Sequence, residues 1–177
     1  MNHQDHVNLL RDGVPAPGGV WADFGAGQGA FTLALAELLG PQGEIWAIDK
    51  DGGALREGER QMRLRFPDRP AGMTQYRTAD FTRPLDLPAM DGAVMANALH
   101  FIKHKLGVVQ FMRGYLRPGG RLLLVEYNVD RGNLWVPYPL SYSTWEILAL
   151  QAGFRQVRLL ATRPSRFLGE IYSAQAE

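Results

Sequence analysis

The sequence predicts an α/β protein built on a doubly wound, seven-stranded sheet, mostly parallel with an antiparallel last strand and with helices on both faces. Three observations predict it. Short runs rich in Val, Ile and Leu alternate with longer stretches of helical spacing, the pattern of repeated strand–helix–strand units whose right-handed crossovers cover both sides of a sheet. The first strand-like run leads straight into a glycine-rich turn, Asp23-Phe-Gly25-Ala-Gly27-Gln-Gly29. Only Thr162 to Arg166 separates the last two strand-like runs, which is too short for a parallel crossover, so those two pair antiparallel.

The elements follow in order. Strands are expected at Val20–Phe24, Glu44–Asp49, Met73–Thr78, Gly92–Ala96, Arg121–Tyr127, Arg155–Ala161 and Phe167–Ala174. Phe31, Leu35, Leu38 and Leu39 are spaced for one buried helix face, and Gly40-Pro41 stops that helix. A second helix spans about Gly52 to Phe66, with its mixed charges on the solvent side. A third, Leu106 to Leu116, ends at Arg117-Pro118-Gly119-Gly120, where a proline and two glycines form a stop and a turn. The last begins at Ser143, where Ser-Thr-Trp-Glu146 fits a capping box, and ends at Gly153.

Composition bounds what such a sheet can do. The chain has 177 residues, 46% of them apolar, enough for one domain over residues 1–177 with a buried core and too many for a disordered chain. Lys plus Arg number 19 against 18 Asp plus Glu, a net charge of +1, which argues against a dedicated nucleic-acid binder. There is no cysteine, hence no disulfide, thiolate metal site or thiol nucleophile. No run approaches the ~20 apolar residues of a membrane helix, and the start, MNHQDHVNLLRDGV, reads as neither signal peptide nor anchor. A cytoplasmic location is the expectation.

The chemistry-bearing residues collect at strand ends. A glycine loop between strand and helix lets backbone N–H groups approach a ligand that side chains would hold away. Gly25, Gly27 and Ala30 also satisfy the loose dinucleotide pattern G-x-G-x-x-G/A, so the loop alone leaves nicotinamide and other adenosine cofactors open. Asp49 ends the second strand, where a carboxylate can accept both hydroxyls of a ribose. Asp80-Phe81 ends the third, with an acceptor for an adenine amino group and an apolar face beside it.

Together these stretches resemble the class I S-adenosylmethionine-dependent methyltransferases, in the small-molecule group similar to the ubiquinone/menaquinone-biosynthesis enzymes. VWADFGAGQGAF, EIWAIDKD, RTADF, DGAVMANALHF, LRPGGRLLLVEY and STWEILALQAGF occur in family order over roughly residues 18 to 174. The resemblance implies a Rossmann-like sheet and S-adenosyl-L-methionine as cofactor, with S-adenosyl-L-homocysteine as product. By position it implies that Gly25, Ala26 and Gly27 pass close to the methionine part and that Asp23 orients the loop. Asp49 would hold the ribose, Lys50 and Phe81 would flank the adenine, Asp80 would read its amino group, and Asn97 would line the path to the acceptor. A dehydrogenase is the weaker alternative, because the chain is too short for a further substrate domain. A binder of the cofactor without turnover also fits these motifs.

Methyl transfer is an in-line displacement that needs a base only when the acceptor must lose a proton. His100, after the fourth strand, is the candidate base; a histidine that merely fixes the loop is the other reading. The end of that strand lacks the Asn/Asp-Pro-Pro-aromatic signature of nucleobase methylation, so a small-molecule acceptor is expected, without nucleic acid or membrane partners. Its pocket is expected in the connection 128–142, through Arg131, Trp135 and Tyr138, with Glu126 and His3 or His6. No metal site is expected: His3 and His6 read as part of a mobile terminus.

Overall fold

A computed structural model describes residues 1–177. Its strands are β1 (Val20–Phe24), β2 (Glu44–Asp49), β3 (Thr74–Thr78), β4 (Met90–Ala96), β5 (Leu116–Tyr127), β6 (Val157–Ser165) and β7 (Gly169–Ala176). They form one sheet in the order β3-β2-β1-β4-β5-β7-β6. All pairings are parallel except those of β7, which runs antiparallel to both β5 and β6. The predicted architecture is therefore present, including the antiparallel last strand.

Alternation along the central strands explains why helices cover both faces. Leu122 and Leu124 point into one apolar layer, while Leu123 and Val125 point into the other. The first layer is closed by α4 (Leu106–Tyr115) and α5 (Tyr142–Gln151), through Val108, Val109, Met112, Trp145 and Ala149. The second is closed by α2 (Ala30–Leu39), by Met62 of α3 (Gly52–Arg65), and by α1 (His3–Leu10) through Val7, Leu9 and Leu10. No helix is long and apolar enough to cross a membrane.

Three local expectations are corrected. The first is the mobile terminus. Residues 3–10 form a helix whose start is closed by a capping box: the Asn2 side chain accepts from the Asp5 amide, and the Asp5 carboxylate accepts from that of Asn2. Burial of its apolar face and an ion pair between Asp5 and Arg163 hold it to the sheet. The second is α5, whose N-cap lies two residues before the expected Ser143. Ser141 is the N-cap, its Oγ accepting from the Thr144 amide, because Asp130 also receives its backbone and hydroxyl hydrogen bonds and fixes it there. The third is β5, which begins at Leu116 rather than Arg121. Leu116 pairs with Met90, and the turn of Pro118-Gly119 is absorbed as an irregularity before regular pairing starts at Gly92–Arg121.

What positions the site is the sheet's topological switch. β1 lies between β2 and β4, so the chain crosses over in opposite directions from β1, and a crevice opens at the carboxyl ends of β1 and β4. Close approach of these two strands has its own sequence requirement. Gly92 stands beside Trp21 in register, and a Cβ there would collide with the buried indole.

Candidate active site

The loop after β1 enters the crevice with Gly25, Gly27 and Gly29 all at positive φ (77°, 52° and 85°), a conformation that costs other residues ~1–2 kcal/mol. It is tied to the sheet by the Gly25 and Ala26 amides, which donate to the Ile48 carbonyl at 2.8 and 3.0 Å. At Gly25 space is also limiting: a Cβ would lie 2.5 Å from the Cβ of Ala98 and 3.4 Å from the Phe81 ring. Ala26 is turned inward against Ala47 and Leu55.

Beneath the loop, buried Asp23 accepts the Thr32 hydroxyl at 2.6 Å. Burial, reinforced by the negative charge of Asp49, pushes its carboxyl up to about 7 against the pull of Thr32. This makes a pH prediction. Between the unfolded value near 4 and about 7, the native protein keeps a proton that the unfolded chain has released. The stability due to Asp23 is thus full below the unfolded value and lost as pH rises through the folded one. An Asp23→Asn variant, which keeps an acceptor for Thr32, is expected to gain stability relative to the parent as pH rises through that window, by at most ~1.4 kcal/mol per pH unit. Urea denaturation of both proteins across the window reads this, and parallel pH profiles would refute it.

Asp49 stands across the loop. Its Oδ2 accepts the Gly27 amide at 2.8 Å and its Oδ1 the Asp51 amide at 2.9 Å, so the carboxylate has a fixed orientation with remaining acceptor capacity. Asp80 is fixed similarly by the amide and hydroxyl of Thr82 (3.0 and 2.7 Å), which hold its carboxyl below the usual range. From β4 comes Asn97, the one non-glycine residue at positive φ (51°). Its Oδ1 is one of four buried side-chain atoms without a hydrogen-bond partner, and the one of them on this cleft's wall.

These groups line one cleft of about 300 Å³: Gly25, Asp49, Lys50, Asp80, Phe81, Thr82, Asn97, Ala98, Phe101 and Ile102. Six of the residues singled out in the sequence meet there, while Asp23, Ala26 and Gly27 support it from the loop. Thr82, Ala98, Phe101 and Ile102 were not foreseen, although Phe101 directly follows His100 and could have been read with it. A larger open groove of about 810 Å³ lies at the start of β5 and carries Arg113, Arg117, Arg121 and Arg155. It is at the opposite end of the sheet and contains none of the strand-end residues, so the smaller cleft is the candidate site.

Glu126 does not wall a pocket directly. It is fully buried at the end of β5 and accepts from His100, through the backbone N–H at 3.1 Å and through Nδ1 at 2.8 Å. His100 is itself buried, in a tight turn over Leu99–Phe101. The 128–141 connection docks on that turn, with the Tyr138 amide donating to the His100 carbonyl at 3.0 Å. Arg131 and Trp135 are exposed on this loop and, like Tyr138, are not in the cleft wall. His3 pairs with Glu37 at 2.7 Å, and the His6 ring packs tilted against Phe31, at the start of α2, with centroids 4.7 Å apart.

Comparison with known proteins then decides the family. The methyltransferase domain family matches residues 22–122, from β1 to the core of β5, which is the segment that builds the cleft. The chain belongs to this family. Among curated methyltransferases, the ubiquinone/menaquinone biosynthesis C-methyltransferase UbiE of Burkholderia mallei is 30% identical over 135 residues, covering 76% of this chain and 52% of the relative. The chain thus spans about half the length of the curated relatives it matches. The fold is shared with the YcgJ protein of Bacillus subtilis (TM-score 0.79, 12% identity, 98% of both chains). It is also shared with the 1,6-didemethyltoxoflavin-N1-methyltransferase of Burkholderia thailandensis (TM-score 0.75, 19% identity, 99% of this chain and 77% of that one).

Proposed function

We propose that this chain is an S-adenosylmethionine-dependent methyltransferase acting on a small-molecule acceptor, with residues 1–177 as one catalytic domain. The observation that carries the reading is the fixed carboxylate of Asp49, facing Gly25 and the unpartnered Asn97 Oδ1 across the crevice at the topological switch. Family membership supports it, as does the S-adenosylhomocysteine bound in the Burkholderia thailandensis enzyme.

The residues present fit the cofactor. Asp49 would accept the ribose hydroxyls, Asp80 the adenine amino group, with Lys50 and Phe81 at the adenine edge. Gly25 and Gly27 leave backbone room for the methionine part, over Ala26 and Asp23. Asn97 Oδ1 would gain the donor it lacks. Asp49 and Asp80 place two carboxylates in the cleft wall beside the single Lys50, and a cationic ligand complements them. When bound, S-adenosylmethionine supplies a methyl group as an electrophile, and the cleft's task is to hold an acceptor in line with it in a dry setting.

A thermal-shift series with S-adenosylmethionine, S-adenosylhomocysteine and NAD tests the reading. At a hundredfold excess over Kd, a ligand that binds only the native state adds ~2.7 kcal/mol, about 5–10 °C for a chain of this size. Both S-adenosyl ligands are expected to raise Tm and NAD is not. A rise with NAD alone would overturn the proposal.

A further inference from the structure

The connection 128–141 adds nothing to the cleft wall, and its apex carries the side chains that folding would be expected to hide first. Leu134 and Trp135 are 88% and 72% exposed, which leaves two large apolar groups in water. They are held there rather than loose. The Asn133 side chain accepts from the amides of Trp135 and Val136, each at 2.9 Å, and the Asn133 amide donates to the Val136 carbonyl at 3.0 Å. Val136 is buried beside them, and Asp130 fixes the far end of the connection through the amide and hydroxyl of Ser141. One apolar neighbour is anchored inward and two are presented outward. A pair ordered in advance loses little further entropy on docking.

Two rings join the pair at the same end of the molecule. Phe101 follows β4 and Phe167 lies at the tip of the β6–β7 hairpin, 59% and 50% exposed. The strand order β4-β5-β7-β6 sets the connections after β4, β5 and β6 together at the carboxyl end of the sheet. His100 links them. Its ring lies 4.3 Å from that of Phe101 and 6.2 Å from that of Tyr127, Tyr127 lies 5.8 Å from Phe167, and the His100 carbonyl accepts the Tyr138 amide.

The charges on this end have one sign. Residues 97–105, 128–141 and 166–168 contain a single carboxylate, Asp130, and Ser141 already engages it. Against it stand Lys103, Arg131 and Arg166, all exposed and none in a salt bridge. The whole chain carries only +1, so the excess is local. Free cations among projecting apolar groups match an anionic lipid surface, where such groups enter the boundary between headgroups and acyl chains and the cations meet phosphate. A second copy docked through the same face would set these cations against one another.

We propose that the connections after β4, β5 and β6 form a docking surface for an anionic phospholipid bilayer, with Leu134 and Trp135 entering it and Lys103, Arg131 and Arg166 engaging its phosphates. This goes beyond the methyltransferase reading and holds whatever ligand the cleft takes. No helix of the chain is long and apolar enough to cross a membrane, and a protein that lies on one needs none. The sequence by itself argues against a membrane partner because it has no long apolar run. The docking residues escape that test, since they are scattered along the chain until the sheet gathers them.

Flotation with vesicles of phosphatidylcholine and phosphatidylglycerol in equal parts, at low salt, tests this. The parent should float with these vesicles and not with phosphatidylcholine alone. Binding should weaken as added salt shortens the Debye length from ~10 to ~3 Å. Joint substitution of Leu134→Ser and Trp135→Ser should lower vesicle affinity at least ~10-fold, and Arg131→Glu at least ~5-fold. Leu64→Ser, at an exposed apolar position on α3, should leave it unchanged. Lipids brominated near the headgroup end of their acyl chains should quench the parent's fluorescence through Trp135, while Trp21 and Trp145 are buried. Trp135→Phe should bind and lose that quenching. No flotation with the anionic vesicles, equal binding to phosphatidylcholine alone, equal affinity in the double variant, or undiminished quenching in Trp135→Phe would each overturn the proposal. A parent that floats with neither vesicle and sediments as a dimer dissociated by the double substitution would give this face to a second copy instead.

Discussion

Gly25→Ala is expected to abolish S-adenosylhomocysteine binding, with a fall in affinity of at least ~100-fold. Two costs combine at this position. The backbone is at φ 77°, which an alanine adopts at ~1–2 kcal/mol. The new methyl would also stand 2.5 Å from the Cβ of Ala98, about 1 Å inside ordinary carbon–carbon contact. Ala98 is buried between Asn97 and the His100 turn, so it cannot retreat without moving two of the groups that shape the cleft. The fold should lose ~2–4 kcal/mol, as overpacking and left-handed strain add. Gly72→Ala is the control: its φ is 85°, but no atom lies within 4 Å of the added Cβ, so it should show strain without loss of ligand. Calorimetry with S-adenosylhomocysteine alongside urea unfolding reads both quantities. Equal ligand affinity in the two variants would refute the role given to Gly25.

Asp49→Ala is expected to weaken the same ligand by ~100-fold or more, from two charge-assisted hydrogen bonds of ~1.5–3 kcal/mol each. The loss has a second source in the protein itself. The Gly27 amide, now bound to Asp49 Oδ2 at 2.8 Å, is left without its acceptor, and the glycine loop loses the contact that ties it across the crevice. Asp49→Asn keeps an acceptor oxygen and should lose only about tenfold. The ribose assignment is tested by an analogue of S-adenosylhomocysteine that lacks the ribose hydroxyls. The parent should discriminate against it strongly and Asp49→Ala should not; equal discrimination by both would remove Asp49 from that role.

Much of the fold was legible because period and punctuation are local. The burial alternation of Leu122 to Val125 and the helical spacing of Phe31 to Leu39 each follow from one element's own geometry. Short connections forced the antiparallel end. The misreadings have local causes as well. The first helix has only eight residues and a mostly polar sequence, so its apolar Val7, Leu9 and Leu10 became informative only once a sheet face was present to bury them; the Asn2–Asp5 capping box was the available signal. The start of α5 depended on Asp130, eleven residues away from Ser141, a partner that a window on the helix does not include.

For the site the division is sharper. The sequence by itself determined which strand-end residues meet in the cleft, because the glycine loop, Asp49, Asp80 and Asn97 each sit at the carboxyl end of a parallel strand and the sheet gathers such ends into one crevice. Tertiary structure alone decided what Glu126 and His100 are to one another. They are 26 residues apart, and they meet because β4 and β5 run parallel with Ala96 opposite Val125. That register carries the end of one strand and the turn after the other to the same depth. Pairing across a sheet depends on register, and register is a property of the packed whole rather than of either segment. It converts an acidic residue expected in a pocket wall into the buried partner of a histidine.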